Sequence, residues 1–406
     1  MTIETSSVVD PRLKTPNENR TTLRQRLNGM SAGSLGSLRI VLVLAFIWIV
    51  FNIANPAFIS PTNLTNLALQ CAAIGVVSIG VVITLLLGEI DLSVGSVSGM
   101  CAGIVGVLSS MQGWPAWAAI AAGVLAGAFV GLIHGVLVTW LEVPSFVVTL
   151  AGFLGWAGVQ LAIVGNAGTI SVTDTAITGL ANYFIPYAAS WVLIVLVLAG
   201  MFAATLLSRR RRARAGLEVA PLTKQLTRPI LVSVAVLAAV GVLNYERGVP
   251  LSLGILVALV VAFSWLITRT RFGRHVLAVG GNEEAARRVG VRVKTVKILV
   301  FVLASAFAAA GGVLVMARLL SVDASAGSGN FLLYAIAGPV IAGVSLYGGR
   351  GSIWAALLGA FVIGSIQNGM NLLSFPAWAQ AIVTALVLLA AVILDSIARR
   401  QRKQRR

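Results

Sequence analysis

Charge is scarce in this chain: only 11% of its 406 residues are charged, and acids are fewer still, 13 Asp and Glu against 30 Lys and Arg. A water-soluble domain usually carries about 25% charged residues, so a single soluble core is excluded. Cysteine and histidine are nearly missing, with two of each. Cys71 and Cys101 both lie in apolar stretches, which rules out a disulfide framework, and no zinc-ligand spacing can be assembled. No G-x-x-x-x-G-K-[ST] is present, so there is no P-loop for ATP; G-x-S-x-G and H-E-x-x-H are absent too. No catalytic residues, metal or cofactor are therefore expected.

Apolar residues make up 58% of the chain and fall in blocks about as long as a bilayer is thick, where a helix needs roughly 20 residues to cross. Such blocks occupy 39–58, 65–87, 92–110, 116–140, 146–165, 188–207, 230–246, 249–268, 297–317, 331–346, 352–373 and 378–397. The expected fold is all-α: a polytopic transmembrane helix bundle of about 10–12 spans with discontinuous helices and two related halves. The 42 glycines suit helices whose backbones approach closely in lipid.

The net charge of +17 is not a nucleic-acid signal, because of where it falls. Of the 30 Lys and Arg, 27 lie in 1–39, 208–229, 269–297 and 399–406. With the N-terminus inside, simple alternation of the spans puts all four clusters on the cytoplasmic side, as Lys/Arg-rich loops require. Arg247, Arg318 and Arg350 lie in short turns or near span ends, where a long side chain can snorkel to the interface. Trp114, Trp117, Trp191 and Trp378 lie near span ends, as interfacial aromatics do. Residues 1–38 are expected to be a disordered cytoplasmic tail rather than a signal peptide. Residues 39–397 are expected to form the transmembrane domain, with a cytoplasmic basic loop at 208–229 and a cytoplasmic segment at 269–297, and 398–406 a basic cytoplasmic tail.

Two places interrupt the spans. Residues 85–96 read Leu-Leu-Leu-Gly-Glu-Ile-Asp-Leu-Ser-Val-Gly-Ser, and 338–352 form a second Gly-rich break. Paired interruptions of this kind point to a transporter's internal repeat and pathway. Glu89 and Asp91 are carboxylates within apolar sequence, costing about 2.5–3.5 kcal/mol on insertion scales, so each needs a partner or a function. Asp91 can cap the restarting helix through the N–H of Ser93 or Val94 or touch substrate; Glu89 has no local partner. His134 and Gln160 lie inside spans of the first half. A neutral solute is held through groups such as those of Gln70, Asn166, Gln367, Asn368 and Asn371, although each serves equally well as interhelical glue.

Residues 281–291 read Gly-Asn-Glu-Glu-Ala-Ala-Arg-Arg-Val-Gly-Val. Asn282 is a good N-cap, Glu283 and Glu284 occupy the first turn, Ala285 and Ala286 continue it, and Arg287 follows before Gly290 ends the helix. Between two spans such a helix makes a docking knob; the alternative is a solvated loop.

Three stretches together resemble the permease family of ABC importers for ribose, xylose and related sugars. Gly88-Glu89-Ile90-Asp91-Leu92-Ser93-Val94-Gly95-Ser96 is similar to the family's most recognisable motif, which usually has Gly at the place of Glu89. Gly281 to Val291 resembles its coupling helix, and Val340 to Ser352 with Gln367 to Leu373 resembles its C-terminal signature. Val143 to Leu154 is most similar to xylose-type members; the added length is expected in the spans flanking 208–229, and His134 departs from the Asn of ribose-type members. The candidate pathway residues, read from their polarity within apolar sequence, are Glu89, Asp91, Ser93, Ser96, His134, Gln160, Gln367, Asn368 and Asn371; the resemblance implies ATPase coupling through Asn282 to Arg287 and Gly290. It implies a separate ABC ATPase, an extracytoplasmic sugar-binding protein, a permease homodimer, and a bacterial inner-membrane location with both termini cytoplasmic. The alternatives are a permease for another pentose, a hexose or a branched-chain amino acid, or an ion-coupled secondary transporter with Glu89 or Asp91 carrying a proton.

Overall fold

The computed structural model describes residues 32–217, 219 and 221–403. The expected disordered tail lies outside the described residues over 1–31, as do the last three residues of the basic C-terminal tail. Helix α1, Ala32–Ala54, already begins within the last part of that expected tail. Extending a helix that has nucleated on an apolar run costs little.

Fourteen further α-helices follow among the described residues. The first half comprises α2 (Pro61–Leu87), α3 (Val94–Gly106), α4 (Ala116–Trp140), α5 (Ser145–Val164), α6 (Thr175–Asn182) and α7 (Tyr187–Arg214). The rest are α8 (Leu222–Glu246), α9 (Leu251–Arg269), α10 (Arg271–Gly281), α11 (Glu283–Arg288), α12 (Val293–Leu319), α13 (Asn330–Ile341), α14 (Trp354–Leu372) and α15 (Ala377–Lys403). Every one of the twelve expected apolar blocks carries a helix, although that in 331–346 ends at Ile341. Among the described residues nine helices are long and apolar enough to cross a bilayer, α3 counting with the π-helical turn that carries it to Met111. Three apolar stretches, Ile40–Ala54, Asn330–Ile341 and Ala377–Ala390, are shorter.

Burial ranks the helices. In α2, 89% of the apolar window is buried, against 6% in α7 and 18% in the apolar part of α8. Thus α2 forms the centre, with α12 packed along it and against α3 and α4, and α7 and α8, the pair flanking 208–229, lie at the periphery. The basic stretch 208–229 was expected to be a loop, but Arg209 to Arg214 continue α7, and α8 begins at Leu222. Arginine is a good helix former, and cations in the last turn suit the negative end of the helix dipole.

Short antiparallel pairs fasten one end of the bundle: β1 (Thr169–Ser171) with β4 (Ser321–Asp323), and β2 (Phe184–Ile185) with β3 (Val249–Pro250). At the same end Asn55 Nδ2 donates to the Leu372 carbonyl, and Asn182 Nδ2 to that of Ala317. The helix termini that carry the basic clusters, at Arg214, Arg269 and Lys403, lie at the other, basic end.

The break after α2 follows from its caps. Ser60 accepts from the Asn63 N–H to start α2, with Pro61 at the first helical position. Gly88 ends it in the left-handed region at φ 89°, where a side chain would be strained. The chain restarts as α3 at Val94.

Candidate functional site: a converging basic end and a polar cavity

At the basic end the three stretches singled out in the sequence meet. The Gly349 N–H donates to the Leu86 carbonyl at 2.9 Å, joining the second break to the first. A Cβ on Gly280, at the end of α10, would overlap the Leu86 carbonyl oxygen, so backbone lies directly on backbone there. Only glycine permits that approach.

Glu89 finds its partner across the fold. Lys297, in the first turns of α12, places Nζ 2.8 Å from Glu89 Oε1 and 2.8 Å from Glu283 Oε2. The Lys297 side chain is 14% exposed and that of Glu89 17%, so solvent screens this bridge weakly. One ammonium therefore ties the break before α3 to the first residue of α11.

Helix α11 is capped as expected. Asn282 Oδ1 accepts from the Ala285 N–H at 2.9 Å, Arg287 pairs with Glu283 at 2.9 Å, and Arg288 Nε with Glu284 at 3.2 Å. Ala286 is buried. Gly290 closes the turn with φ 83°, its N–H donating to the Arg287 carbonyl. Val289, which the sequence did not single out, presents an exposed apolar surface at the tip.

Deeper in the bundle, a chain of polar contacts links Asp91 to Trp156. Asp91 Oδ1 accepts from the Ser93 N–H at 2.8 Å and from Ser93 Oγ–H at 2.6 Å. The expected bond to Ser93 is made, but Asp91 stands two residues before the N-cap position, which Ser93 occupies. Ser96 Oγ donates to the Ser93 carbonyl. Trp156 Nε1–H donates to His134 Nε2 at 3.0 Å. Indole only donates, so a neutral His134 carries its proton on Nδ1, 3.5 Å from Ser93 Oγ. Asp91 Oδ2 is buried and has no partner among the described residues.

The candidate pathway residues do not form one site. Gln160 Nε2 donates to the carbonyls of Asp323 and Ala326, fastening α5 to the segment after β4. Asn368 exchanges hydrogen bonds with Asn63 at 2.7 and 2.9 Å. Asn368 thus acts as interhelical glue, and Gln160 ties a helix to the strand and turn beside it. Gln367 and Asn371 instead line a cavity of about 390 Å³ together with Gln70, Arg318, Asn330 and Tyr334. Arg318 was expected to snorkel to the interface; it lines this cavity instead, because the faces of α2, α13 and α14 around it are polar. A second cavity of about 270 Å³ adjoins, with Val315 and Phe331 in the walls of both.

Sequence reasoning missed Lys297, Trp156, Arg318, Asn330 and Tyr334. For Lys297 there was a signal: it is the cation at the very start of an apolar block, and a carboxylate within another block lacked a partner. Arg318 had a weaker one, as a lone charge at a span end.

Comparison with known proteins agrees with this architecture. A family model described as "Branched-chain amino acid transport system / permease component" matches residues 63–392. The xylose transport system permease protein XylH of Escherichia coli (strain K12) is 36% identical over 362 residues, which cover 89% of this chain and 91% of that protein. XylH of Haemophilus influenzae is 36% identical over 357 residues, 88% of this chain and 95% of that protein. The ribose import permease protein RbsC of Escherichia coli (strain K12) is 31% identical over 346 residues, 84% and 88% respectively. No solved structure matches the chain.

Proposed function

The chain belongs to this family of transport-system permease components, and from that premise we propose that it is the membrane-spanning permease of an ABC importer for a small sugar, D-xylose first. It has no catalytic role of its own. A separate ATPase supplies the free energy, and an extracytoplasmic binding protein delivers the sugar to a permease dimer. On this reading the basic end faces the cytoplasm, in keeping with the Lys/Arg rule, and the chain lies in a bacterial inner membrane with both termini inside.

The observation that carries this reading is the Lys297 bridge between a capped surface helix and a broken transmembrane helix. Helix α11 is the part of the basic end shaped to seat in an ATPase. When α11 moves, Lys297 carries the displacement to Glu89 and so to the start of α3. A carrier driven by an ion gradient has no use for such a knob. The matching family's description favours a branched-chain amino acid as second reading. Against it, the described lining of the larger cavity holds the Arg318 cation and no carboxylate for an ammonium group.

The decisive measurement is labelled xylose uptake by liposomes carrying the chain, with and without the ATPase and binding protein. Uptake is expected only with both partners and ATP. Uptake driven by a proton gradient without the ATPase would sink the importer reading; ATP-dependent uptake of leucine but not xylose would favour the second.

Replacing Glu284→Ala together with Gly290→Val is expected to lower recovery of the ATPase complex several-fold while insertion stays intact. A side chain in the left-handed region costs roughly 1–2 kcal/mol, which frays the end of a six-residue helix. Unchanged recovery would remove α11 from the docking surface.

A further inference from the structure

From Lys297 to Arg318, α12 rises roughly 30 Å at ~1.5 Å per residue, about the thickness of a hydrocarbon core. The 390 Å³ cavity therefore sits at the end away from α11. Its volume falls within the roughly 300–1,000 Å³ typical of small-molecule sites. Four helices contribute to it: α2 through Gln70, α12 through Arg318, α13 through Asn330 and Tyr334, and α14 through Gln367 and Asn371. Among the described residues the side chains of Gln70, Arg318, Asn330, Tyr334 and Gln367 make no hydrogen bond or ion pair; Asn371 accepts one from Gln380. Interhelical glue behaves differently in this protein: Asn63 pairs with Asn368, and Ser190 with Asn244. Here five polar side chains that pair with nothing else among the described residues converge on one space at this end of the bundle.

We infer that this cavity is the station at which the permease itself holds a neutral polyol, with Arg318 and Tyr334 as specificity-determining donors; this rests on the sugar-permease reading above. A guanidinium offers five N–H donors, whereas Gln70, Asn330, Gln367 and the Tyr334 hydroxyl both donate and accept. A phosphate or carboxylate brings acceptors only and would oppose the amide carbonyls. A polyol donates and accepts at every hydroxyl and so uses the whole set. Phe331, in the same wall, supplies an apolar surface for the C–H face of a sugar ring. Weak capture suits the role, since the solute must leave again.

The test uses the full complex in liposomes with ATPase and saturating loaded binding protein, so that delivery is equal. Initial uptake is compared for D-xylose, a pentose analogue lacking one hydroxyl, and xylonate. Arg318→Gln is expected to lower maximal xylose uptake about tenfold, as loss of a charge-assisted hydrogen bond implies. Tyr334→Phe removes one hydroxyl at nearly constant volume and is expected to narrow the preference for xylose over the deoxy analogue about fivefold. Complex recovery checks that both variants fold, and if Arg318→Gln fails to assemble, the Tyr334→Phe ratio decides. Wild-type xylose uptake with unaltered selectivity in Tyr334→Phe and unaltered rate in Arg318→Gln overturns this inference alone. Preference of the wild type for xylonate also overturns it. Failure of the wild type to move any neutral pentose overturns it together with the sugar reading.

Discussion

Replacing Lys297 by methionine is expected to reduce ATP-driven uptake at least tenfold and to destabilise the basic end by about 3 kcal/mol. The ammonium stands 2.8 Å from each of two carboxylates and is only 14% exposed. Breaking a buried pair by removing one partner costs about 3–5 kcal/mol, because the other charge is left uncompensated; the residual exposure of Glu89 puts the cost at the lower end. Glu283 keeps Arg287, whereas Glu89 has no second partner among the described residues. Stability and transmission are separable. Lys297→Met combined with Glu89→Gln removes the stranded charge and is expected to recover complex stability, measured by thermal inactivation in detergent, while uptake stays low. Full uptake by the double variant would mean that the bridge only holds the fold and transmits nothing. Normal uptake by Lys297→Met alone would take it out of the mechanism altogether.

At Asp91, leucine and asparagine are expected to part company. Asp91 is 2% exposed, and its Oδ1 alone carries the two bonds from Ser93. Asparagine keeps that oxygen; leucine removes it and strands the buried Ser93 N–H, at about 1–3 kcal/mol. Leucine also frees Ser93 Oγ from the orientation that sets it against His134. Asp91→Asn is therefore expected to retain most of the uptake, and Asp91→Leu to lose most of it along with thermal stability in detergent. Equal loss in both would assign the role to the charge, and Oδ2, which has no partner among the described residues, would then be the atom to pursue.

How far each residue could be read from the sequence depended on the range of its interactions. The capped helix α11 was readable because Asn282, Glu283, Glu284, Arg287 and Gly290 act within one or two turns, and each does what its type dictates. Asp91 was readable for the same reason, since its partner is two residues away. Among Gln70, Gln160, Gln367, Asn368 and Asn371 the sequence offered no distinction. Adjacent residues took opposite roles, Asn368 bonding to Asn63 and Gln367 facing the cavity, because successive positions on a helix point about 100° apart.

The sequence alone determined that this chain is a membrane bundle, where its apolar spans run and which surface helix is capped. Those features rest on apolar block length, charge placement and bonds between near neighbours, all of which are properties of short windows. The tertiary structure decided what Glu89 is paired with, that Arg318 turns inward, and that three distant stretches meet at one end. Each of those depends on groups far apart in the chain, as Glu89 and Lys297 are, brought together by the packing of α12 among α2, α3 and α4. The scarcity of charge that excluded a soluble fold is also what makes the few charges informative. In a chain with so few acids, a mostly buried ion pair between a helix and the break in another is costly unless it does a job, and only the packing could show which charges were paired.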